Sequence, residues 1–143
     1  MNSAKFFRTM AWLYFAGFAF VVFVSHVPVF NDPEGRLFGL FRIDLRDDAV
    51  HIFSAITGLI VASTGKWIAP YFWLTGVLYG ADALIGLTTQ LGLLDLTVFT
   101  QPWQSPDFGL RNIAINLPHI VIAIVAIIVA SRASRMRVAH GAA

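Results

Sequence analysis

The sequence lacks cysteine and is poor in charge. None of its 143 residues is cysteine, which excludes disulfides, thiol nucleophiles and cysteine-ligated metals. Charged residues make up 13% of the chain, about half of the roughly 25% that a soluble domain carries. The ten Lys and Arg residues exceed the eight Asp and Glu residues by only two, so we expect no nucleic-acid partner, which would need a basic face.

Apolar residues are correspondingly abundant in the sequence. Hydrophobic types account for 57% of the chain, and the mean hydropathy is +0.72. This composition excludes a typical soluble enzyme and a disordered chain, because too little polar surface remains to face water. The length predicts a single domain over residues 1–143. Phosphate loops, zinc-protease motifs and serine-hydrolase motifs are absent from the sequence, and we predict a protein that is not an enzyme.

Four apolar runs are long enough to cross a bilayer, which takes about 17–25 residues. They cover residues 10–30, 49–65, 67–87 and 113–131, and a basic tail follows at 132–143. The bilayer interior offers no water to backbone groups, so these spans must be helices. The first run follows Lys5 and Arg8 but is too long for a signal peptide, and we interpret it as a retained span. The predicted fold class is an all-α integral membrane four-helix bundle.

Lys and Arg residues are distributed unequally between the two ends of this predicted bundle. Six of them flank the termini or the second turn and four lie in the other loops: Lys5, Arg8, Lys66, Arg132, Arg135 and Arg137 against Arg36, Arg42, Arg46 and Arg111. The positive-inside rule then places both termini in the cytoplasm. We predict a multi-pass protein of the bacterial inner membrane.

An internal repeat is centred on two histidines. Aligning His51 with His119 pairs HIFSAITGLIVAS with HIVIAIVAIIVAS, and eight of these thirteen positions are identical. Upstream, the tripeptide Phe-Gly-Leu at residues 38–40 recurs at residues 108–110. We interpret the pattern as a tandem repeat of two helical hairpins, related by a pseudo-two-fold axis along the membrane normal.

Each predicted span carries one titratable side chain within roughly 10 Å of the outer boundary. These side chains are His26, His51, Asp82 and His119. An ionisable group inside a span is a functional candidate by default. Small residues recur at helical spacing after His51 and His119. We therefore expect each histidine to lie at one end of a helix–helix contact face. We expect Asp82 to face protein, with a histidine as its partner.

Three kinds of chemistry fit these side chains. Structural hydrogen bonding is the interpretation that we favour. Alternatively, His26, His51, Asp82 and His119 could hold a divalent metal, and His51 with His119 could ligate haem. Asp82 and a histidine could also relay protons in a small proton-coupled transporter.

The two repeated histidines share the pattern Asn/Asp-x-x-His, with Asp48 before His51 and Asn116 before His119. We expect Asp48 and Asn116 to cap the helices that follow. Together with YGADALIGL at residues 79–87, these motifs resemble small bacterial four-helix inner-membrane proteins of unknown function. In those proteins the pattern precedes the second and fourth helices. The resemblance covers residues 43–131 and implies a topology without implying an activity.

The predicted function is that of a non-enzymatic membrane protein, a subunit or assembly partner of a larger membrane complex. Four short helices bury little core, so we expect a homo-oligomer or protein partners in addition to the lipid bilayer. One alternative is a haem- or metal-binding membrane protein that uses His51 and His119. The other is a small proton-coupled transporter that uses Asp82.

Overall fold

The structure is a computed structural model that describes residues 3–141, with side chains through residue 136. Within the described residues it is all-α, and the β pairing found there is two isolated bridges in the loop after the first helix. The helices are α1 (Ser3–Ser25), α2 (Leu45–Thr64), α3 (Ile68–Thr89), the short α4 (Thr97–Thr100) and α5 (Leu110–Gly141). Arg137 and the rest of the predicted basic tail after it lie outside the described side chains.

The first helix ends at Ser25, five residues before the end of the first predicted span. Pro28 disfavours helical geometry at the residue before it, and the chain continues as a 3-10 turn at Pro28–Phe30. The side chain of Asn31 closes the helix end, because its Nδ2 donates to the carbonyls of Ser25 (3.0 Å) and Val27 (3.1 Å). The chain therefore leaves α1 earlier than its hydropathy indicates.

The cap of α2 is Asp44. Its carboxylate accepts from the backbone N–H groups of Arg46 and Asp47, and the carboxylate of Asp47 accepts from the N–H of Asp44 in return. The prediction that Asp48 caps this helix is wrong, because the capping box starts α2 four residues before Asp48. Asn116 likewise lies inside α5. Both Asn/Asp-x-x-His motifs are thus within helices and do not precede them.

A tight turn joins α2 to α3. Gly65 ends α2 with a φ of 70°, a left-handed conformation that favours glycine, and Trp67 has a φ of 63°. Arg8 of α1 lies beside the turn, and its guanidinium donates to the carbonyls of Ala62 (2.8 Å) and Ser63 (2.9 Å). These bonds fix the end of α2 against the first part of α1.

Three helices of the described chain are long and apolar enough to cross a membrane. They are α1, α3 and the Leu110–Met136 part of α5. The helix α2 is not among them, because its first turn carries Arg46, Asp47 and Asp48 and shortens the apolar stretch. The structure therefore indicates a membrane protein with three candidate spans, where the sequence predicts four.

The long helices pack as two close pairs, α1 with α2 and α3 with α5. Small residues permit this close approach. Those that follow the two paired histidines at helical spacing are buried: Ala55, Gly58 and Ala62 in α2, and Ala123, Ala126 and Ala130 in α5. The expectation that these residues form helix–helix contact faces is confirmed.

Aromatic side chains fill the space between the two helix pairs. The ring of Phe18 in α1 stacks on Tyr79 of α3, with the ring centroids 5.1 Å apart. One turn earlier, Tyr14 meets Phe72 edge to face, also at 5.1 Å. Rings of this size keep the backbones of the two pairs further apart than the small residues do within each pair.

Two tyrosines form hydrogen bonds between the pairs. The hydroxyl of Tyr14 in α1 donates to the carbonyl of Ile122 in α5 at 2.7 Å. The hydroxyl of Tyr71 in α3 donates to the carbonyl of Ser54 in α2 at 3.2 Å. Ser54 and Ile122 each stand three residues after one of the paired histidines. In each histidine-bearing helix, the carbonyl three residues after the histidine therefore accepts a hydrogen bond from a tyrosine of the other helix pair.

Candidate functional site

The candidate site lies where the two helix pairs meet, at the level of His51 and His119. The centroids of the two imidazole rings are 6.2 Å apart. The ring of Tyr79 contacts both, at 6.0 Å from His51 and 5.2 Å from His119. His51 and Tyr79 are buried. The structure thus brings together the two histidines that the repeat pairs in the sequence.

The ring of His51 is oriented by its own helix. Its Nδ1 lies 2.8 Å from the carbonyl oxygen of Asp47, one turn earlier in α2. A carbonyl oxygen can only accept, so the Nδ1–H donates and the Nε2 of the neutral ring keeps its lone pair. The backbone of α2 therefore sets both the tautomer and the direction of this imidazole.

Asp82 has a histidine partner, as expected, and that histidine is His119. Its Oδ2 lies 2.6 Å from the His119 Nδ1, and the side chains of the two are 7% and 22% exposed. The other oxygen, Oδ1, accepts from the backbone N–H groups of Leu93 (2.7 Å) and Leu94 (2.9 Å). One carboxylate on α3 therefore holds both α5 and the loop that follows α3.

His26 lies apart from the His51–His119 pair. Its Nε2 is 2.9 Å from the Oδ2 of Asp48, and its side chain is 69% exposed. The hydroxyl of Ser25 also reaches Asp48 at 3.4 Å. Within the described part of the chain, no group of three or more His, Asp or Glu residues is placed to hold a metal ion.

Sequence reasoning missed the partners that hold the end of α3 against the start of α5. The Nδ2 of Asn112 donates to the carbonyls of Gly86 (3.2 Å) and Asp107 (2.8 Å). The Nδ2 of Asn116 donates to the carbonyl of Asn112 at 2.9 Å. Both asparagines are buried. Their spacing of four residues in a predicted span is the signal that could have identified a shared polar face.

Hydrogen bonds also hold the loops at the same end of the molecule. In the first, the carboxylate of Asp32 accepts from the backbone N–H and the Nε of Arg36, each at 2.7 Å. The backbone N–H contributes most to lowering the pKa of Asp32 below its ordinary value, and the guanidinium lowers it further. Arg46, in the first turn of α2, holds the loop after α3, because its Nη1 donates to the carbonyl of Asp95 at 3.0 Å.

A protein-family model described as a domain of unknown function, DUF4383, matches residues 9–99. The match covers more than half of the chain, and it includes most of α1 and all of α2 and α3. The chain belongs to the DUF4383 family. The DUF4383 match contains His26, His51 and Asp82, whereas His119 follows it. No curated protein and no solved structure matches the chain.

The DUF4383 family has no assigned function, so the chemistry of the site follows from its geometry alone. Asp82 already accepts three hydrogen bonds and acts as a junction between elements. His51 and His119 each bond through Nδ1, which leaves Nε2 as the second nitrogen of each ring. Every buried side-chain nitrogen and oxygen in the described part of the chain has a hydrogen-bond partner. This arrangement suits a structural polar network, and it also orients two imidazoles.

Proposed function

We propose that the protein is a non-enzymatic integral membrane protein that acts as a subunit or assembly partner of a larger complex. The observation that carries the proposal is a set of exposed apolar side chains on the loops and the short α4 at one end. They include Phe38, Phe99, Trp103 and Phe108, each more than half exposed. Apolar loop surface of this kind marks a site of contact with another protein or with the membrane surface.

We infer that α2 crosses the bilayer beside α1, which gives four spans. The support comes from contacts at both ends of the α1–α2 pair. The guanidinium of Arg8 reaches the carbonyls of Ala62 and Ser63, while Asp48 reaches Ser25. The two helices therefore run antiparallel over the same length, so a bilayer that covers α1 also covers α2. Four spans with the Lys and Arg asymmetry support cytoplasmic termini in a bacterial inner membrane.

The same geometry supports a tandem duplication of helical hairpins. Tyr14 and Tyr71 belong to opposite hairpins, and each bonds the carbonyl three residues after a paired histidine. A pseudo-two-fold axis between the hairpins would produce this reciprocal pair of hydrogen bonds. Under this proposal the four long helices form one bundle, and the axis passes between His51 and His119.

Size measurement in native membrane extracts tests the assembly proposal. We expect the wild-type chain to migrate well above its own mass after extraction in a mild detergent. Phe99→Asp with Phe38→Asp should shift it to a smaller species, because both changes charge the apolar loop surface. Leu84→Asn, on the exposed outer face of α3, is the control and should leave the larger species in place. A wild-type chain that migrates as a monomer would contradict the proposal.

A second candidate function is the binding of a divalent metal or haem by His51 and His119. One observation favours it: both rings bond through Nδ1 to an oxygen, as metal-bound histidines commonly do. The absorption spectrum and metal content of the purified protein test it. A Soret band or stoichiometric metal should disappear in His51→Ala and remain in His26→Ala. Neither signal in the wild-type protein would exclude this candidate.

A further inference from the structure

An apolar groove runs between α2 and α3, on the outer surface of the helix bundle. It encloses about 330 Å³, which lies at the lower end of the roughly 300–1,000 Å³ of ligand pockets. Its walls come from both helices and include Phe53, Thr57, Ile60, Leu74 and Leu78. Phe53, Ile60 and Leu74 are about half exposed, so the groove opens toward the lipid side of the helices.

The polar groups on the floor of the groove are bonded within the chain. The hydroxyl of Tyr71 donates to the carbonyl of Ser54, and the hydroxyl of Ser54 is 3.1 Å from that of Tyr79. The walls therefore present an apolar surface, which matches a hydrocarbon chain better than a polar solute.

One end of the groove is positively charged. Its lining ends at Val61 and Trp67, on either side of the turn that contains the exposed Lys66. The guanidinium of Arg8 lies beside the same turn. The acidic residues of the chain lie toward the opposite end: in the loops there, in the first turn of α2 (Asp47 and Asp48) or, for Asp82, toward the opposite end of α3. Trp67 is largely exposed, as an anchor at the level of lipid headgroups would be.

We propose that the groove binds one acyl chain of an anionic phospholipid, whose phosphate contacts Lys66. The hydrocarbon tail lies between α2 and α3, and the headgroup meets the charge at the turn. Cationic side chains at a membrane surface attract anionic lipids, and the groove gives one such lipid a fixed place. The proposal rests on the membrane insertion of the helices, which the same experiment checks separately.

Tryptophan quenching by brominated lipids tests the proposal. Two single-tryptophan chains are reconstituted in phosphatidylcholine vesicles, one keeping Trp67 and the other Trp73. Trp73 is the matched reporter, because it lies in the first turns of α3, six residues after Trp67, and faces α5 through its bond to Ser134. We expect brominated phosphatidylglycerol to quench Trp67 at a lower mole fraction than brominated phosphatidylcholine does. Lys66→Gln should weaken this preference roughly fivefold, the effect of one cation near the surface.

Filling the groove gives a second test. Thr57→Phe places a ring inside the groove and should abolish the preference for phosphatidylglycerol at Trp67. Ile56→Phe adds the same ring at a neighbouring exposed position outside the groove and should leave the preference unchanged. Neither variant should alter the quenching of Trp73.

The outcomes separate the lipid site from membrane insertion. If Trp73 is quenched but Trp67 shows no preference, the lipid site is wrong and insertion stands. If Trp67 is shielded from both lipids and Thr57→Phe converts a dimer to a monomer, a second copy of the chain fills the groove and the proposal is overturned. If neither tryptophan is quenched, the helices do not insert and both proposals fail.

Discussion

Asp82 accepts hydrogen bonds from the backbone N–H groups of Leu93 and Leu94 and from the ring of His119. We predict that Asp82→Asn keeps the fold, because the amide oxygen can still accept from the two N–H groups. Asp82→Leu should lower the free energy of unfolding by about 1–3 kcal/mol, since it leaves buried donors unpaired. Thermal melting of the purified variants in detergent measures this difference.

Glu34 supplies the control for this comparison. It is an exposed carboxylate whose ion pair with Arg36 lies on the surface, and surface ion pairs contribute little to stability. Glu34→Leu should therefore melt close to wild type. If Asp82→Leu melts there as well, the hydrogen bonds of Asp82 do not stabilise the bundle.

His51 and His119 should act as a coupled pair. Their rings approach each other and share contacts with Tyr79. We predict that His51→Ala and His119→Ala are non-additive in the free energy of unfolding, by roughly 0.5–3 kcal/mol. A double-mutant cycle measured by detergent melting tests this. His26, which bonds to Asp48 instead, supplies the control cycle with His119, and additive effects in both cycles would contradict the prediction.

The depth of a side chain in a predicted membrane span indicates the type of partner for Asp82 but not for His26. Asp82 lies at a depth similar to that of three histidines, so the sequence predicts a histidine partner for it, but the choice of His119 comes from the structure. The pairing of His26 with Asp48 does not follow from the sequence, because it depends on where Pro28 turns the chain out of α1.

At the scale of helices, two glycines should respond to alanine in opposite directions. In α1, a Cβ at Gly17 would meet nothing within 4 Å. Gly17→Ala should stabilise the helix by about 0.5–1 kcal/mol, because alanine loses less backbone entropy. In α3, a Cβ at Gly86 would collide with the side chain of Asn116. Gly86→Ala should destabilise the protein by about 1–3 kcal/mol through overpacking.

The melting temperatures of the two variants in the same detergent measure these opposite changes in stability. The two substitutions add the same methyl group to a helix interior, so each serves as the control for the other. A Gly86→Ala variant that melts at or above wild type would show that the α3–α5 contact tolerates the added volume, and a Gly17→Ala variant that melts below wild type would contradict the prediction for α1.

Helix positions follow from hydropathy, but helix ends do not. The four predicted spans fall on α1, α2, α3 and α5, because apolar runs of this length must be helical in a bilayer. The true start of α2 depends on the reciprocal hydrogen bonds of Asp44 and Asp47, whereas hydropathy marks only where the charges stop. Capping signals were present in the sequence and carry more information about this boundary than the apolar run does.

For the whole molecule, the proposed topology predicts the position of three reporters. A reporter at the C-terminus and one inserted at Lys66 should be cytoplasmic, and one inserted near Asp107 should be external. The reason is the excess of Lys and Arg beside the first two positions. Paired alkaline phosphatase and fluorescent protein fusions give opposite signals on the two sides, so each position carries its own control. An external C-terminus would exclude either the four-span count or the orientation.

The sequence repeat predicts that His51 and His119 meet, but it does not predict what separates the hairpins. The aromatic layer depends on the rotation of each helix about its axis. That rotation is set by the close contacts of small residues such as Gly58, where a Cβ would lie 2.7 Å from the hydroxyl of Tyr71. Contacts of this kind involve both hairpins at once and have no signature in either sequence segment alone.

The two tyrosine bonds also differ in when they can form during synthesis. Tyr71 and Ser54 are 17 residues apart, whereas Tyr14 and Ile122 are 108 residues apart. At about 5–20 residues per second, the ribosome takes on the order of 5–20 s to add the partner of Tyr14. During that interval α3 can already dock on α2 through Tyr71. Of the two tyrosine bonds between the helix pairs, the one that joins α3 to α2 can thus form first, and the one that joins α1, the first helix made, to α5 forms last.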